Sequence, residues 1–230
     1  MQNGMDLSRI QSMEQRYEYE NRMMDAVSHG DLRIAESMTF AFSASVFEER
    51  TNNPLRNLQN YCIIMNTLCR KAAEAGGVHP VFLDQISSRF ARRIEELRSV
   101  AVIPGFMQEM MQSYCRLVRD HSTKNYSPTV QKAILFIESN LQNELRLNTV
   151  ADAISVSSGY LSARFKTETG QTLTKYVNQK RIDQACHLLR STDLQIQTIA
   201  QDCGFLDLHY FCRLFKKATG TTPTAYRKEN

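Results

Sequence analysis

The sequence predicts an all-α protein, with a helical bundle followed by two helix-turn-helix units that share a connecting helix. Apolar residues recur at three- and four-residue intervals through most of the 230 positions, as expected of amphipathic helices packed on a core. The breaks between these stretches are short and carry Gly, Pro or Asn. A segment near the C-terminus also repeats one further upstream, which indicates two copies of one supersecondary unit.

The first half is expected to form five helices, at residues 7–28, 32–47, 54–75, 80–97 and 106–118. The first break falls at residues 29–31. Asn53 as an N-cap, followed by Pro54 in the first turn, is a helix start signal. Gly76-Gly77 and Pro104-Gly105 punctuate the later stretches. Five helices joined by short breaks predict a bundle.

Composition limits the kinds of protein and of site. There is no run of 18 apolar residues, and residues 1–20 carry no signal-peptide pattern, so a cytoplasmic protein is expected. The six cysteines lack the spacing of a disulfide framework. Cys62 and Cys69 are expected to share a buried helical face rather than to bind a metal. With no recognisable catalytic, metal or cofactor motif, no enzymatic activity is predicted.

The second half contains the internal repeat. Five pairs of like residues are 50 positions apart: Tyr160 and Tyr210, Phe165 and Phe215, Lys166 and Lys216, Gly170 and Gly220, and Tyr176 and Tyr226. The preceding pair, Ala151 and Ala200, is 49 positions apart, so one residue is added in the second turn. This density of matches predicts two copies of one helix–turn–helix unit.

The second copy has the pattern of two short helices joined by a tight turn. Gly204 follows an apolar helical stretch, and a positive φ at this glycine would end that helix. Asp207 is expected to cap the next helix. On that helix Phe211 and Phe215 are four positions apart and should face the core, which leaves the opposite side free. A second helix of this kind is typical of those that enter the DNA major groove.

The first copy and the connecting helix follow the same plan. Ser127-Pro128 should begin the first helix, Asn148 should cap the second, and Ser157 should cap the helix equivalent to the one after Asp207. The connecting helix is expected at residues 174–190, which at about 1.5 Å per residue spans roughly 25 Å. Two recognition helices held by such a strut could enter successive major grooves about 34 Å apart.

Charge divides the chain in the same way. Residues 1–125 contain 15 Lys and Arg and 15 Asp and Glu, whereas residues 126–230 contain 13 and 9. The second part therefore carries the whole net charge of +4. A basic part beside a neutral one is typical of a nucleic-acid-binding module joined to another domain, and the polar stretch 121–125 is expected to link the two.

The second unit resembles the DNA-binding domain of AraC/XylS transcription regulators. It carries Gly-Phe, Tyr-Phe, Phe-Lys-Lys, Gly-Thr-Thr-Pro and Tyr-Arg in the order of that family, and the resemblance extends over residues 127–228. Residues 56–80 resemble the helical segment that precedes this domain in one group of AraC-type regulators. The resemblance implies a helical regulatory or dimerisation domain at residues 1–122 and an AraC-type double helix-turn-helix DNA-binding domain at residues 127–230.

The same resemblance implies which residues meet DNA. The base-facing positions are Ser158, Gly159, Ser162 and Ala163 in the first unit, and Leu208, His209, Cys212 and Arg213 in the second. An arginine can form a bidentate pair with guanine, whereas glycine and alanine offer no side-chain hydrogen bond, so the second unit is expected to carry most of the specificity. Four cations are assigned to phosphates, with simple solvation as the alternative: Lys166, Arg181, Lys216 and Lys217.

The leading prediction is therefore a sequence-specific regulator of transcription, an activator by the common mode of the family. Its expected partners are double-stranded promoter DNA, RNA polymerase and a second copy of the chain bound through the N-terminal half. The effector, if there is one, is not identified. The alternative is an interaction protein whose helical half binds another protein, for which Met107, Met110 and Met111 offer an apolar surface unless they pack in the core.

Overall fold

The computed structural model describes residues 7–38 and 51–229, and the regular elements within these ranges are all helical. The α-helices of the first half are α1 (Leu7–Ser28), α2 (Leu32–Ser37), α3 (Pro54–Ala75), α4 (Pro80–Glu96) and α5 (Ile103–His121), and a 3₁₀ helix lies at Val100–Val102. Those of the second half are α6 (Pro128–Ser139), α7 (Leu147–Ala153), α8 (Ser158–Thr169), α9 (Leu173–Ser191), α10 (Ile196–Asp202), α11 (Leu208–Thr219) and α12 (Pro223–Glu229). The predicted all-α class is confirmed.

The chain forms two compact parts, an N-terminal helical bundle up to Asn125 and a C-terminal part from Tyr126 onwards. In the N-terminal bundle α3 packs against α1, α4 and α5 around a single core. Met107, Met110 and Met111 all lie in that core, with 3%, 0% and 1% of their surfaces exposed. The hypothesis that these methionines form an apolar binding surface is therefore wrong. Cys62 and Cys69 are buried on one face of α3, as predicted.

A buried polar network joins three helices of the N-terminal bundle. The Tyr114 hydroxyl on α5 donates to Asn66 Oδ1 on α3 at 2.7 Å. Asn66 Nδ2 in turn donates to the carbonyl oxygen of Ser87 on α4 at 3.0 Å and lies 3.2 Å from its hydroxyl. Each of these groups has a partner, and buried polar groups that are paired in this way restrict the helices to one register.

Two predicted boundaries in the first half differ from the structure. The break expected at Pro104-Gly105 lies instead in the first turn of α5, where a proline is tolerated because the first N–H groups of a helix have no partner within it. The helix expected at residues 32–47 is described only as far as Ser37, and its remainder from residue 39 lies outside the described residues. The start at Asn53 and Pro54 is confirmed: Asn53 Oδ1 accepts the N–H of Arg56 at 3.1 Å.

The C-terminal part contains two small cores that are joined by α9, one for each helix-turn-helix unit. Leu173 and Val177 at the start of α9 belong to the core formed with α6, α7 and α8. Ile182, Ala185 and Leu189 belong to the core formed with α10 and α11. With 19 residues α9 is about 28 Å long at 1.5 Å per residue. The same helix thus contributes residues to the cores of both helix-turn-helix units.

The two helix-turn-helix turns have the same backbone form but different residues at the position of positive φ. Gly204 has φ +81° in the second unit, whereas Ser155 occupies the equivalent position of the first with φ 60°. In both, the following N–H bonds back to a buried alanine: Phe205 to Ala200 at 2.8 Å and Val156 to Ala151 at 3.0 Å. The one-residue difference between the copies therefore falls after this bend.

Candidate nucleic-acid interface

In the second unit α11 has one buried and one exposed side. Phe211 and Phe215 are fully buried, in ring contact with each other at 5.7 Å between centroids. His209 and Arg213 are exposed. Leu208 and Cys212 are half-buried and pack against the same core as the phenylalanines. Of the four residues predicted to face bases here, two are exposed and two lie at the edge of the core.

The N-terminal end of α11 is fixed by its cap. Asp207 Oδ1 accepts the N–H of His209 at 2.8 Å and that of Tyr210 at 3.1 Å, which confirms the predicted capping. The pKa of the Asp207 carboxyl lies below its ordinary value, chiefly because the Tyr210 N–H donates to the charged form and also because of the His209 N–H and the charge of Arg213. The cap holds the first turn of α11, which carries His209, in a defined conformation.

The guanidinium group of Arg213 contacts an aromatic ring of the same helix. Its guanidinium carbon lies 5.6 Å from the centroid of the Tyr210 ring, within the range of a cation–π contact. The Tyr210 hydroxyl accepts from Asn178 Nδ2 on α9 at 3.1 Å. The tyrosine is therefore itself held in place, and it limits the conformations that the arginine can adopt.

In the first unit α8 presents smaller side chains. Gly159, Ser162 and Ala163 are exposed, and a Cβ atom added at Gly159 would meet no heavy atom within 4 Å. The Ser158 hydroxyl donates to Asn148 Oδ1 at 2.7 Å. Asn148 lies within α7, whose N-cap is Arg146, so the prediction that Asn148 caps this helix is wrong. Ser157 caps α8 as predicted, because its hydroxyl accepts the N–H of Tyr160 at 3.3 Å.

Arg164, an exposed residue on α8, forms an ion pair. Its Nε lies 2.5 Å from Glu168 Oε1, and the other oxygen of Glu168 accepts the N–H of Ser127 at 2.7 Å. The pKa of Glu168 lies below its ordinary value, chiefly because of the Ser127 N–H. Arg164 thus helps to attach the start of α6 to α8.

The four cations assigned to phosphates fall into two groups. Lys166, Lys216 and Lys217 are exposed, which is compatible with that role. Arg181 is half-buried, and its Nε and Nη2 donate to the carbonyl oxygens of Leu141 at 3.0 Å and Asn143 at 2.7 Å. Its guanidinium is engaged inside the protein, so we remove Arg181 from the set of phosphate contacts.

Three exposed apolar or aromatic side chains were not assigned by sequence reasoning. Leu206 in the turn before α11 is fully exposed, and Tyr160 and Tyr210 are 50% and 38% exposed. A leucine directly after the core residue Phe205 gives no periodic signal of exposure, whereas the two tyrosines are a matching pair of the repeat to which no exposed role was assigned. All three lie in or just before the second helix of a helix-turn-helix.

Within residues 7–38 and 51–229, no group of three or more His, Cys, Asp and Glu side chains is placed to hold a metal ion. None of the helices in these ranges is long and apolar enough to cross a membrane.

Comparison with known proteins gives consistent similarities. Residues 150–229 match the family model of a helix-turn-helix domain. The chain is 32% identical over 149 residues to the xylose operon regulatory protein of Escherichia coli K12, which covers 64% of this chain but only 38% of that protein. The chain thus spans less than half the length of this relative.

Two further relatives match a larger share of their own length. An HTH-type transcriptional regulator from the cgkA 5′ region of Pseudoalteromonas carrageenovora is 32% identical over 122 residues, which are 53% of this chain and 72% of that protein. The solved C-terminal domain of AraT, a response regulator of Geobacillus stearothermophilus, is 36% identical, with a TM-score of 0.46 over 46% of this chain and 89% of that one. The chain belongs to the AraC/XylS family of helix-turn-helix transcriptional regulators.

Proposed function

We propose that this chain is a sequence-specific DNA-binding regulator that reads duplex DNA mainly with α11. The observation that carries the proposal is the division of α11 into fully buried Phe211 and Phe215 on one side and exposed His209 and Arg213 on the other. Because the phenylalanines fix the rotation of the helix in its unit, the exposed side chains are presented as a preformed set.

The chemistry of that set suits the edges of base pairs. Arg213 can donate two hydrogen bonds to O6 and N7 of a guanine, and a good pair of this kind discriminates against other bases by about 1–3 kcal/mol. His209 can donate or accept at a base edge. Leu208 and Cys212 are half-buried, so we assign to them short apolar contacts at the margin, such as a thymine methyl group.

The contribution of α8 is proposed to be smaller. Ser162 is exposed, but the Ser158 hydroxyl already donates to Asn148, and Gly159 and Ala163 have no polar side-chain atoms. The exposed Lys166, Lys216 and Lys217 would bind phosphates and supply affinity without sequence information.

The N-terminal helical bundle is proposed to regulate this activity. By the common mode of the family, the chain would bind promoter DNA as an activator, recruit RNA polymerase, and respond through dimerisation or an effector of the helical bundle. No catalytic activity is proposed. The fully paired buried network around Asn66 favours a bundle with one well-defined packing.

In-vitro selection from a random pool of duplexes with the full chain tests the proposal. We expect enrichment of a site with a strongly preferred block and a weakly preferred block about 10 base pairs apart. Arg213→Ala should lose the preference at one or two positions of the strong block, by roughly 5- to 150-fold per position. Arg164→Ala, an exposed arginine on α8, is the matched control and should keep the preference.

Lys216→Ala supplies an internal check on the division of roles. It should weaken binding to all duplexes about equally and reduce the slope of log affinity against log salt by about 1. No enrichment of any duplex would refute the proposal. A sequence preference that survives Arg213→Ala and is lost in Arg164→Ala would refute the assignment to α11.

A further inference from the structure

The two helix-turn-helix units touch directly, and not only through the length of α9. Arg181, in the middle of α9, donates from Nε to Leu141 O at 3.0 Å and from Nη2 to Asn143 O at 2.7 Å. Both acceptors lie in the loop between α6 and α7 of the first unit. These are charge-assisted hydrogen bonds from one planar group, which fix the direction of the loop as well as its distance.

The same guanidinium contacts the turn of the second unit. Its central carbon lies 5.6 Å from the centroid of the Phe205 ring, and Phe205 is 3% exposed. Burial lowers the pKa of Arg181 from its ordinary value, yet an arginine remains charged in proteins. One side chain thus joins a loop of the first unit to the turn that precedes α11.

The fit around Gly204 shows how close this contact is. A Cβ atom built on Gly204 would lie 2.3 Å from Leu141 O and 2.8 Å from Arg181 Nη2. The loop of the first unit, the guanidinium and the turn of the second unit therefore occupy adjacent space, with no room for one added methyl group. Contacts this close resist sliding of one unit against the other.

The chain of contacts continues to the proposed reading surface. Asn178, one turn before Arg181 on α9, donates to the Tyr210 hydroxyl at 3.1 Å, and the Tyr210 ring supports Arg213. Through these contacts α9 fixes the position of α11 relative to the loop after α6. Within the C-terminal part of the chain, α8 and α11 are held at one separation and one relative angle by these contacts.

We propose that Arg181 is a positioning residue that sets the spacing between the two DNA segments read by α8 and α11. The inference rests on the proposed function, because spacing has a meaning only if both helices bind one duplex. An arginine suits this place since it donates to two separate carbonyl oxygens while its face lies on an aromatic ring, whereas a lysine has a single charged centre.

The test compares binding of the full chain to the selected composite duplex with binding to duplexes whose two blocks are moved by one or two base pairs. The wild-type chain should bind the shifted duplexes at least about 10-fold more weakly, because each base pair moves one block by about 3.4 Å and also rotates it around the helix axis. Arg181→Ala should bind the selected duplex roughly 10-fold more weakly and reduce the spacing preference to about 3-fold or less. Arg181→Lys should lie between the two.

Three comparisons separate positioning from a merely structural or direct role. Affinity for a duplex that carries only the strong block should stay within about 2-fold of wild type in Arg181→Ala, since α11 itself is unchanged. Arg190→Ala is the matched control: this arginine is also on α9 and lies 5.9 Å from the Tyr226 ring, but its contacts stay within the second helix-turn-helix. It should keep the full spacing preference.

Amide hydrogen exchange of the free protein keeps the inference separate from the proposed function. In Arg181→Ala, exchange should increase both in the loop at residues 141–145 and in the turn at residues 204–207, and in Arg190→Ala at neither. If the wild-type chain binds no duplex, the proposed function fails, and unchanged exchange at these two segments would overturn the coupling as well. If duplexes are bound, a spacing preference as sharp in Arg181→Ala as in wild type overturns the inference.

Discussion

Replacing Gly204 by alanine tests the packing between the two helix-turn-helix units most directly. The residue has φ +81°, which costs an L-amino acid about 1–2 kcal/mol. The added methyl group would lie 2.3 Å from a backbone oxygen, that of Leu141, which cannot move away as a flexible side chain would. Overpacking of this kind costs roughly 1–3 kcal/mol, and the lower entropy of the unfolded alanine chain returns about 0.4–1 kcal/mol. We expect a net loss of about 2–4 kcal/mol.

Gly220 provides a control that separates the two causes. It has φ +84°, but a Cβ atom placed there would meet no heavy atom within 4 Å. Gly220→Ala should therefore cost only the backbone strain, about 1 kcal/mol. The free energy of opening of α10 and α11, measured by amide hydrogen exchange with mass spectrometry, compares the variants in the same region of the full chain. Equal losses in the two variants, within about 0.5 kcal/mol, would refute the steric argument.

Three further changes probe single features of the fold. Ser155→Gly should stabilise the first helix-turn-helix unit by about 0.5–1 kcal/mol in hydrogen exchange, because the strain of φ 60° is relieved; a loss would contradict the role given to this bend. Tyr114→Phe should destabilise the N-terminal helical bundle by about 1–3 kcal/mol in chemical denaturation, because Asn66 Oδ1 loses its buried donor, while Tyr160→Phe should change little. The lowered pKa of Asp207 stabilises the fold fully above about pH 4, and this is lost as pH falls through the folded pKa; the difference in Tm between wild type and Asp207→Asn should thus shrink below about pH 4, and a constant difference would exclude the effect.

Helix positions followed well from sequence wherever a local signal exists. The caps at Asn53, Ser157 and Asp207 act as expected, because a short polar side chain meets free N–H groups within three residues of its own position. The wrong assignment of Asn148 shows the limit of this signal. Its side chain accepts from Ser158, ten residues away, instead of capping α7. A contact of that length depends on how two helices pack.

Among the candidate site residues, the sequence predicted which side chains are buried or exposed, but not which exposed or half-buried ones are hydrogen-bonded elsewhere in the protein. Periodicity was sufficient to place Phe211 and Phe215 in the core and Arg213 outside it, and these placements agree with the structure. It was not sufficient for Arg181, whose charge and position are equally consistent with a phosphate contact. The two carbonyl oxygens that accept from Arg181 are 38 and 40 residues distant in sequence. No spacing rule connects residues so far apart.

The sequence by itself determined the class of fold, the repeat and the side of α11 that is exposed, because each depends on interactions within a few residues or on the period of one helix. Only the tertiary structure decided that Leu206 is fully exposed and that Arg181 joins the two helix-turn-helix units. Tertiary structure also decided why Gly204 must lack a side chain in addition to its positive φ. Such properties are set by which surfaces meet when distant segments pack, and close packing leaves no freedom to infer them from local pattern.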